Sequence, residues 1–367
     1  MYDIIRDWYS RNFSDPQAVI LSILLLVLFG LLWLVGDILA PVIVALVLAY
    51  LLESFVATLE RGRLPRTVAC LFVITLIIAL SIIVLFGVIP VLSQQTTSIV
   101  RELPGMIQNI QAQLLRLPES YPDIFTVEQV NELIDNLRNE ITSFTQNVLS
   151  FSLAKLGTIV MISVYVVLVP IMVFFVLKDK EKLLAFAHSF APKRNELIFQ
   201  VWREVDQKIA NYIRGKFFEI LIVWIVTYIL FAIMGLNYSL LLSFLVGLSV
   251  IIPYVGAIAV TVPIALIGFF QWGFSAQLGY LLLIYQVIQI LDGNVLVPLL
   301  FSEVVNLHPL AIITAVLFFG GLFGLWGVFF AIPLATLVQA VLNAWPKALE
   351  YMPARDNALA GKSASGR

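Results

Sequence analysis

The chain has 367 residues, of which 61% are hydrophobic and 12% charged, about half the charged fraction of an ordinary soluble domain. With 22 Lys and Arg against 23 Asp and Glu, the net charge is -1, which excludes the basic footprint of a nucleic-acid-binding protein. A single cysteine, Cys70, and two widely separated histidines, His188 and His308, exclude a disulfide framework and offer no metal cluster or catalytic triad, so no cofactor and no enzymatic activity are expected.

The charges are confined to a few places along the chain. Residues 1–16 carry Arg6 and Arg11 with three acids, residues 53–66 three Arg with two Glu, residues 178–216 nine Lys and Arg with five acids, and the tail from Pro346 four basic residues with two acids. Between Ile220 and Trp345 the only charged side chains are Asp292 and Glu303. The runs 17–36, 38–58, 67–92, 151–177, 217–235 and 275–291 approach the roughly 20 apolar residues that a helix needs to cross a bilayer core. The chain therefore reads as an all-α polytopic membrane protein with about six simple spans.

Ser14-Asp15-Pro16 places a cap and a proline ahead of the first run, as at a helix start. That run has no small-residue cleavage site and is followed at once by a second, so it reads as an anchor. Placing the basic loops 53–66 and 178–216 in the cytoplasm puts both termini inside and the acidic segment 93–150 outside. In a bacterium this corresponds to the inner membrane and the periplasm. The resulting organisation is N-terminal membrane helices over 1–92, an extramembrane helical segment over 93–150, a span at 151–177, an amphipathic cytoplasmic region at 178–216, a core at 217–345 and a flexible tail at 346–367.

In the outer segment, Val127, Val130, Ile134, Leu137, Ile141, Phe144, Val148 and Phe151 recur at intervals of three and four. That is a heptad seam. It can pack against the helix around Leu103, Ile107, Ile110 and Leu114, or against other subunits, and the pattern leaves both open. On the inner side, Ile198, Val201, Trp202, Val205, Ile209 and Tyr212 form an apolar stripe suited to a helix lying on the membrane face.

The last third contains two long apolar stretches, 239–270 and 310–345, each broken near its middle. The first breaks at Ile252-Pro253-Tyr254-Val255-Gly256, with Pro263 beyond; the second breaks around Gly320, Gly321, Gly324 and Gly327, with Pro333 beyond. Leu236-Asn237 opens one as Leu307-His308 opens the other, and Val262-Pro263-Ile264-Ala265 answers Ile332-Pro333-Leu334-Ala335. The two look like internal repeats. Backbone freed from helix inside a membrane must be satisfied by protein or water, and paired interrupted helices point to a transporter's binding region. The stretches read as two broken helical hairpins, the first opening outside and the second inside. The alternative, that the glycines merely allow close helix packing, leaves the prolines and the repetition unexplained.

Between the hairpins, Gln286, Gln289 and Asp292 recur every three residues, followed by Asn294 and Pro298. An intramembrane carboxylate on a polar stripe is a candidate to ligate a cation, carry a proton or hold a polar solute. Asp292 can alternatively cap a helix that breaks there. Asp37 reads as a turn residue, while Lys155 and Glu219 sit near membrane edges where their side chains can snorkel to water. Glu303 and His308 precede the second hairpin and can gate it or simply be hydrated. No phosphate-binding loop occurs, so transport would draw on a gradient.

At these residues the chain resembles the autoinducer-2 exporter family, and within it the PerM-like permeases. The likeness is carried by Phe13-Ser14-Asp15-Pro16, Leu177-Lys178-Asp179-Lys180-Glu181, Asn211-Tyr212-Ile213-Arg214-Gly215-Lys216, Gly235-Leu236-Asn237-Tyr238-Ser239, Ile252-Pro253-Tyr254-Val255-Gly256-Ala257, Leu291-Asp292-Gly293-Asn294, Asn306-Leu307-His308-Pro309 and Ala331-Ile332-Pro333-Leu334-Ala335. The resemblance implies a homopentamer in the inner membrane, with an elevator-like movement of the hairpin region. It also implies export of a small signalling molecule by some members and cation/proton exchange by others. Where relatives often have an arginine beside the proline matching Pro298, this chain has Val297 and Leu299, a departure that points away from an anionic substrate. The expected partners are a small polar solute or cation, the lipid bilayer and further copies of the chain. A membrane scaffold recruiting partners through the outer seam is the reading from another class.

Overall fold

The computed structural model describes residues 16–115, 126–132, 134–136, 138–139, 156–189, 196–301 and 307–344. Its helices run in the order α1 (Pro16–Arg61), α2 (Arg66–Ile83), α3 (Ile89–Leu114), α4 (Leu156–Lys178), α5 (Lys180–Ser189), α6 (Glu196–Ile233), α7 (Ser239–Ser249), α8 (Val255–Trp272), α9 (Ala276–Leu291), α10 (Val297–Phe301), α11 (Pro309–Phe329) and α12 (Ala331–Ala344). No strand occurs among the described residues. Ile38–Arg61, Arg66–Met106, Val205–Ile233, Val255–Trp272, Ala276–Phe301 and Pro309–Phe329 are long and apolar enough to cross a membrane. The protein is an all-α polytopic membrane protein.

Several elements are longer than the hydropathy runs suggest. The first two runs, 17–36 and 38–58, lie in one 46-residue helix that is interrupted only at Val35 (φ -124°, ψ 17°). The third continues beyond residue 92 through a π-helical turn, Val84–Val88, into α3. A second π-helical turn, Asp292–Leu296, joins α9 to α10. Each of these turns ends two residues before a proline, Pro90 or Pro298. A proline ring clashes with the carbonyl four residues back and supplies no N–H to it, and the wider turn accommodates both defects without ending the helix. The inner stripe likewise continues straight into the fifth span as α6, with Val205 and Tyr212 buried.

The described residues fall into two compact units. One draws on Ala40–Leu183 and Ile213–Ser302. In it Ala45, Ala49, Leu52 and Val56, spaced to line one helix face, pack against Ala69, Cys70, Val73 and Ile74 of α2 and against Val169, Val173 and Leu177 of α4. Cys70 is fully buried in this cluster. Arg66 closes its end, donating from Nε to the Leu177 carbonyl at 2.9 Å, which would otherwise be left open where α4 ends, and pairing with Glu53 at 3.1 Å and Glu60 at 2.9 Å. A second core joins α6, α7, α8 and α9 through Val223, Phe231, Leu242, Val246, Ile264, Ile267, Leu281 and Tyr285. Within the outer seam, Val130 and Ile134 are buried, and Arg138 donates to the Gln111 carboxamide of α3 at 3.4 Å, so this part packs within the chain. The seam beyond residue 139, Lys155 and the tail 346–367 lie outside the described residues.

The other unit draws on Met1–Leu39, Leu184–Tyr212 and Glu303–Arg367. Its core is Ala315, Phe319 and Ala331, with Phe29, Phe323 and Leu334 around them. Tyr212 donates its hydroxyl to the Phe329 carbonyl at 2.9 Å.

Candidate functional site

The first broken stretch folds back on itself. Helices α7 and α8 are joined by residues 250–254, and Gly256 lies so close to Ser249 that a Cβ there would overlap the Ser249 carbonyl oxygen. The turn is tight because the Val255 amide donates to the Pro253 carbonyl at 2.7 Å across Tyr254, whose φ is 63° and ψ -51°. This is a γ-turn of the rare positive-φ kind, strained for a residue with a side chain. Pro263 sits inside α8, where the Tyr285 hydroxyl of α9 donates to the Ala257 carbonyl at 2.7 Å.

A charged group lies beside this turn. Lys216 and Glu219 of α6 are 4% and 2% exposed, and their ion pair is 2.7 Å long. The Lys216 ammonium also donates to the Val250 carbonyl at 2.9 Å, at the end of α7, and lies 5.4 Å from the centre of the Phe301 ring. Its three donors thus meet a carboxylate, a carbonyl and an aromatic face. Gly215 permits the approach, since a Cβ there would come within 2.7 Å of the Phe301 ring. Burying such a pair costs desolvation, and removing one partner alone typically costs about 3–5 kcal/mol. Glu219 is therefore no edge residue reaching for water.

Asp292 directly follows α9. It opens the π-helical turn in a helical conformation (φ -58°, ψ -58°), so no helix breaks there for it to cap. The Asp292 Oδ1 and Gln289 Nε2 atoms are both buried without a hydrogen-bond partner. Gln286 is exposed on the same element. Asn294 donates to the Ile290 carbonyl at 2.9 Å, and Pro298 lies within α10.

Asn237 sits at a different place, in the turn between α6 and α7. Its amide donates to Gln271 Oε1 at 2.7 Å, while Gln271 Nε2 donates to the Gly235 carbonyl at 2.7 Å. Arg101, Glu102, Asn237, Tyr238 and Gln271 line a cleft of about 350 Å³. Burial and a hydrogen bond to the Glu102 carboxylate push the Tyr238 hydroxyl up to about 12.

In the other unit the second broken stretch also folds back. Here the interruption is a single residue, Gly324 (φ 59°, ψ -138°), and a Cβ at Gly327 would overlap the Phe319 carbonyl oxygen. Gly320 meets Val328, Gly321 meets nothing within 4 Å, and Pro333 lies in the first turn of α12, where its missing N–H is harmless. His308 is the N-cap of α11, its Nδ1 accepting from the Leu310 amide at 3.2 Å. Glu303 lies outside the described residues.

With this geometry in place, comparison with known proteins decides the family. Residues 21–347 match the family described as AI-2E family transporter. The chain belongs to that family. It is 44% identical over 346 residues to PerM of Escherichia coli (strain K12), a protein named as a candidate permease, covering 94% of this chain and 98% of the relative. It is 29% identical to YueF of Bacillus subtilis (strain 168), with 82% of each chain covered. It is 23% identical to the AI-2 transport protein TqsA of Escherichia coli (strain K12), covering 89% and 91%. This member of the AI-2E family is thus a multi-pass membrane protein of a transporter family. The sequence reading set Gln286, Gln289 and Asp292 on one stripe and read Glu219 without its partner Lys216. The available signal was a pair of opposite charges three residues apart at the head of an apolar run.

Proposed function

We propose that the protein is a gradient-driven permease of the inner membrane that exports a small polar solute, with both termini in the cytoplasm. The observation that carries this reading is the pair of buried, unpartnered atoms at Gln289 Nε2 and Asp292 Oδ1. One is a donor and the other an acceptor, one helical turn apart, and leaving either unmade costs about 1–3 kcal/mol. A hydroxyl group satisfies both kinds at once, so a small hydroxyl-bearing solute suits them, and an autoinducer-2-like signalling molecule belongs to that class. Asn294, Pro253 and Gly256 are the further candidates for solute contact in this reading, and Asn237 lines a separate cleft. The two folded-back helix pairs act as re-entrant hairpins moving as an elevator in each subunit of a homopentamer, with Gly320, Gly321, Gly324, Gly327 and Pro333 shaping the second. Glu303 and His308 precede it in sequence and are the candidates to gate it.

A second reading is cation/proton exchange with Asp292 as the titrating ligand. It is favoured by the charge count of one ammonium against the two carboxylates Glu219 and Asp292. Flux of candidate hydroxylated solutes and of cations, measured in vesicles holding only this protein, separates the two. Under the solute reading Asp292→Asn keeps an accepting oxygen and retains at least half the flux, whereas Asp292→Ala loses most of it. Under the exchange reading both variants lose coupled transport. No flux of either kind from an intact wild-type oligomer would leave only a scaffold.

A further inference from the structure

The cleft beside Asn237 gathers groups that neither the Tyr254 turn nor the Asp292 stripe uses. Its walls come from α3, from the turn between α6 and α7, and from α8, with Arg101, Glu102, Asn237, Tyr238, Phe270 and Gln271 among the lining residues. Three of the stretches able to cross a membrane, Arg66–Met106, Val205–Ile233 and Val255–Trp272, end around it, so it lies at a membrane face, at the open end of the first helix pair. The walls are fixed in advance. Gln271 holds both sides of the turn, accepting from the Asn237 amide and donating to the Gly235 carbonyl, while Gln95 of α3 accepts from the Leu241 amide in the first turn of α7 at 2.9 Å. A volume of about 350 Å³ is at the small end of the range for ligand pockets, about 300–1,000 Å³. The cleft suits a molecule of few atoms.

Two opposite charges line this cleft without neutralising each other. Arg101 and Glu102 are neighbours on α3, and adjacent helix positions do not face one another. Among the described residues no ion pair joins them, and the Arg101 guanidinium makes no hydrogen bond. Glu102 accepts the Tyr238 hydroxyl, which leaves other lone pairs of its carboxylate open. The exposed Asn237 carboxamide adds a donor and an acceptor, and Phe270 an apolar wall. A lone anion drawn to Arg101 is repelled by Glu102, and a lone cation drawn to Glu102 is repelled by Arg101. We propose that the cleft is a binding site for a small zwitterion, with the anionic group on Arg101 and the ammonium on Glu102. A free amino acid and the headgroup of an aminophospholipid share this chemistry, and a cleft at a membrane face is open to either. The inference goes beyond the permease reading and needs no flux to stand.

The test holds the full chain in nanodiscs of phosphatidylglycerol, a lipid without an ammonium, and titrates four probes by calorimetry against empty discs. Serine and phosphoethanolamine carry both charges, lactate only the anion and ethanolamine only the ammonium. At least one zwitterion should bind tenfold or more tightly than either single-charge probe. Arg101→Gln should weaken that zwitterion tenfold without weakening ethanolamine, and Glu102→Gln should weaken it equally without weakening lactate. A merely structural loss would not split the probes in this way. Replacing half the lipid by phosphatidylethanolamine then names the source: zwitterion affinity falls at least threefold where the headgroup takes the cleft and is unchanged where the occupant is a free solute. Neither zwitterion outranking the single-charge probes overturns the site, as does wild-type zwitterion affinity in both folded variants. If a variant does not fold, the ranking of the four probes on the wild type decides. Zwitterion binding without any flux would sink the permease reading and leave the site standing, and flux without zwitterion preference would do the reverse.

Discussion

The two folded-back helix pairs solve one steric problem with the same device and a second problem with opposite ones. In each, a glycine shortly after the turn lets the returning helix touch the carbonyl of the outgoing one, Gly256 on Ser249 and Gly327 on Phe319. The turns themselves differ. The first places positive φ on Tyr254 and fixes the neighbouring carbonyl with Lys216, while the second places it on Gly324. The first turn carries its strain on a tyrosine beside a buried ammonium. The second, made on glycine, carries no such strain. The two stretches thus share the contact and differ in the turn.

The shared contact is the part whose loss costs most. Gly256→Ala and Gly327→Ala each drive a methyl group into a backbone oxygen that cannot rotate away, and each should cost about 3 kcal/mol or more, beyond the usual range for overpacking. Thermal unfolding in detergent should show both variants melting well below wild type. If one melts normally, the two pairs do not share the device. The next effect concerns the second turn alone. Gly324 occupies a region of backbone space reserved for glycine, so Gly324→Ala should lose about 1–3 kcal/mol. Gly321→Ala, three residues away on helical backbone with open space around it, should gain up to about 1 kcal/mol. Equal responses would place the interruption elsewhere than Gly324.

Most of this architecture was legible because a bilayer makes hydropathy decisive. The scarcity of charge between Ile220 and Trp345 and the punctuation at Pro253, Gly256, Gly324 and Gly327 located the membrane class and the two folded-back stretches. Helix ends were less legible. A π-helical turn lets Pro90 and Pro298 sit inside continuous helices, so punctuation that stops a helix in water did not stop these. The site was half legible. The three-residue spacing of Gln289 and Asp292 placed them on one stripe, but Glu219 was read alone as an edge residue. Its partner Lys216 binds the end of α7, 34 residues away in sequence, and no local pattern encodes a contact of that separation. His308 shows the converse, since a side chain suspected of gating is occupied in capping its own helix.

The smallest expected effect tests whether the first turn is strained at all. Tyr254→Gly removes the Cβ that makes φ 63° costly, a gain of about 1–3 kcal/mol. Glycine also gives the unfolded chain more freedom, which returns about 1 kcal/mol of that gain. The ring itself contributes little, because Tyr254 is 59% exposed. The net should be a stabilisation of about 1 kcal/mol, seen as a rise of a few degrees in the melting temperature in detergent. Tyr254→Ala is the control: it removes the same ring but keeps the Cβ, and so should melt at or slightly below wild type. If glycine and alanine behave alike, the turn carries no strain on its tyrosine, and the contrast between the two helix pairs reduces to Lys216 alone.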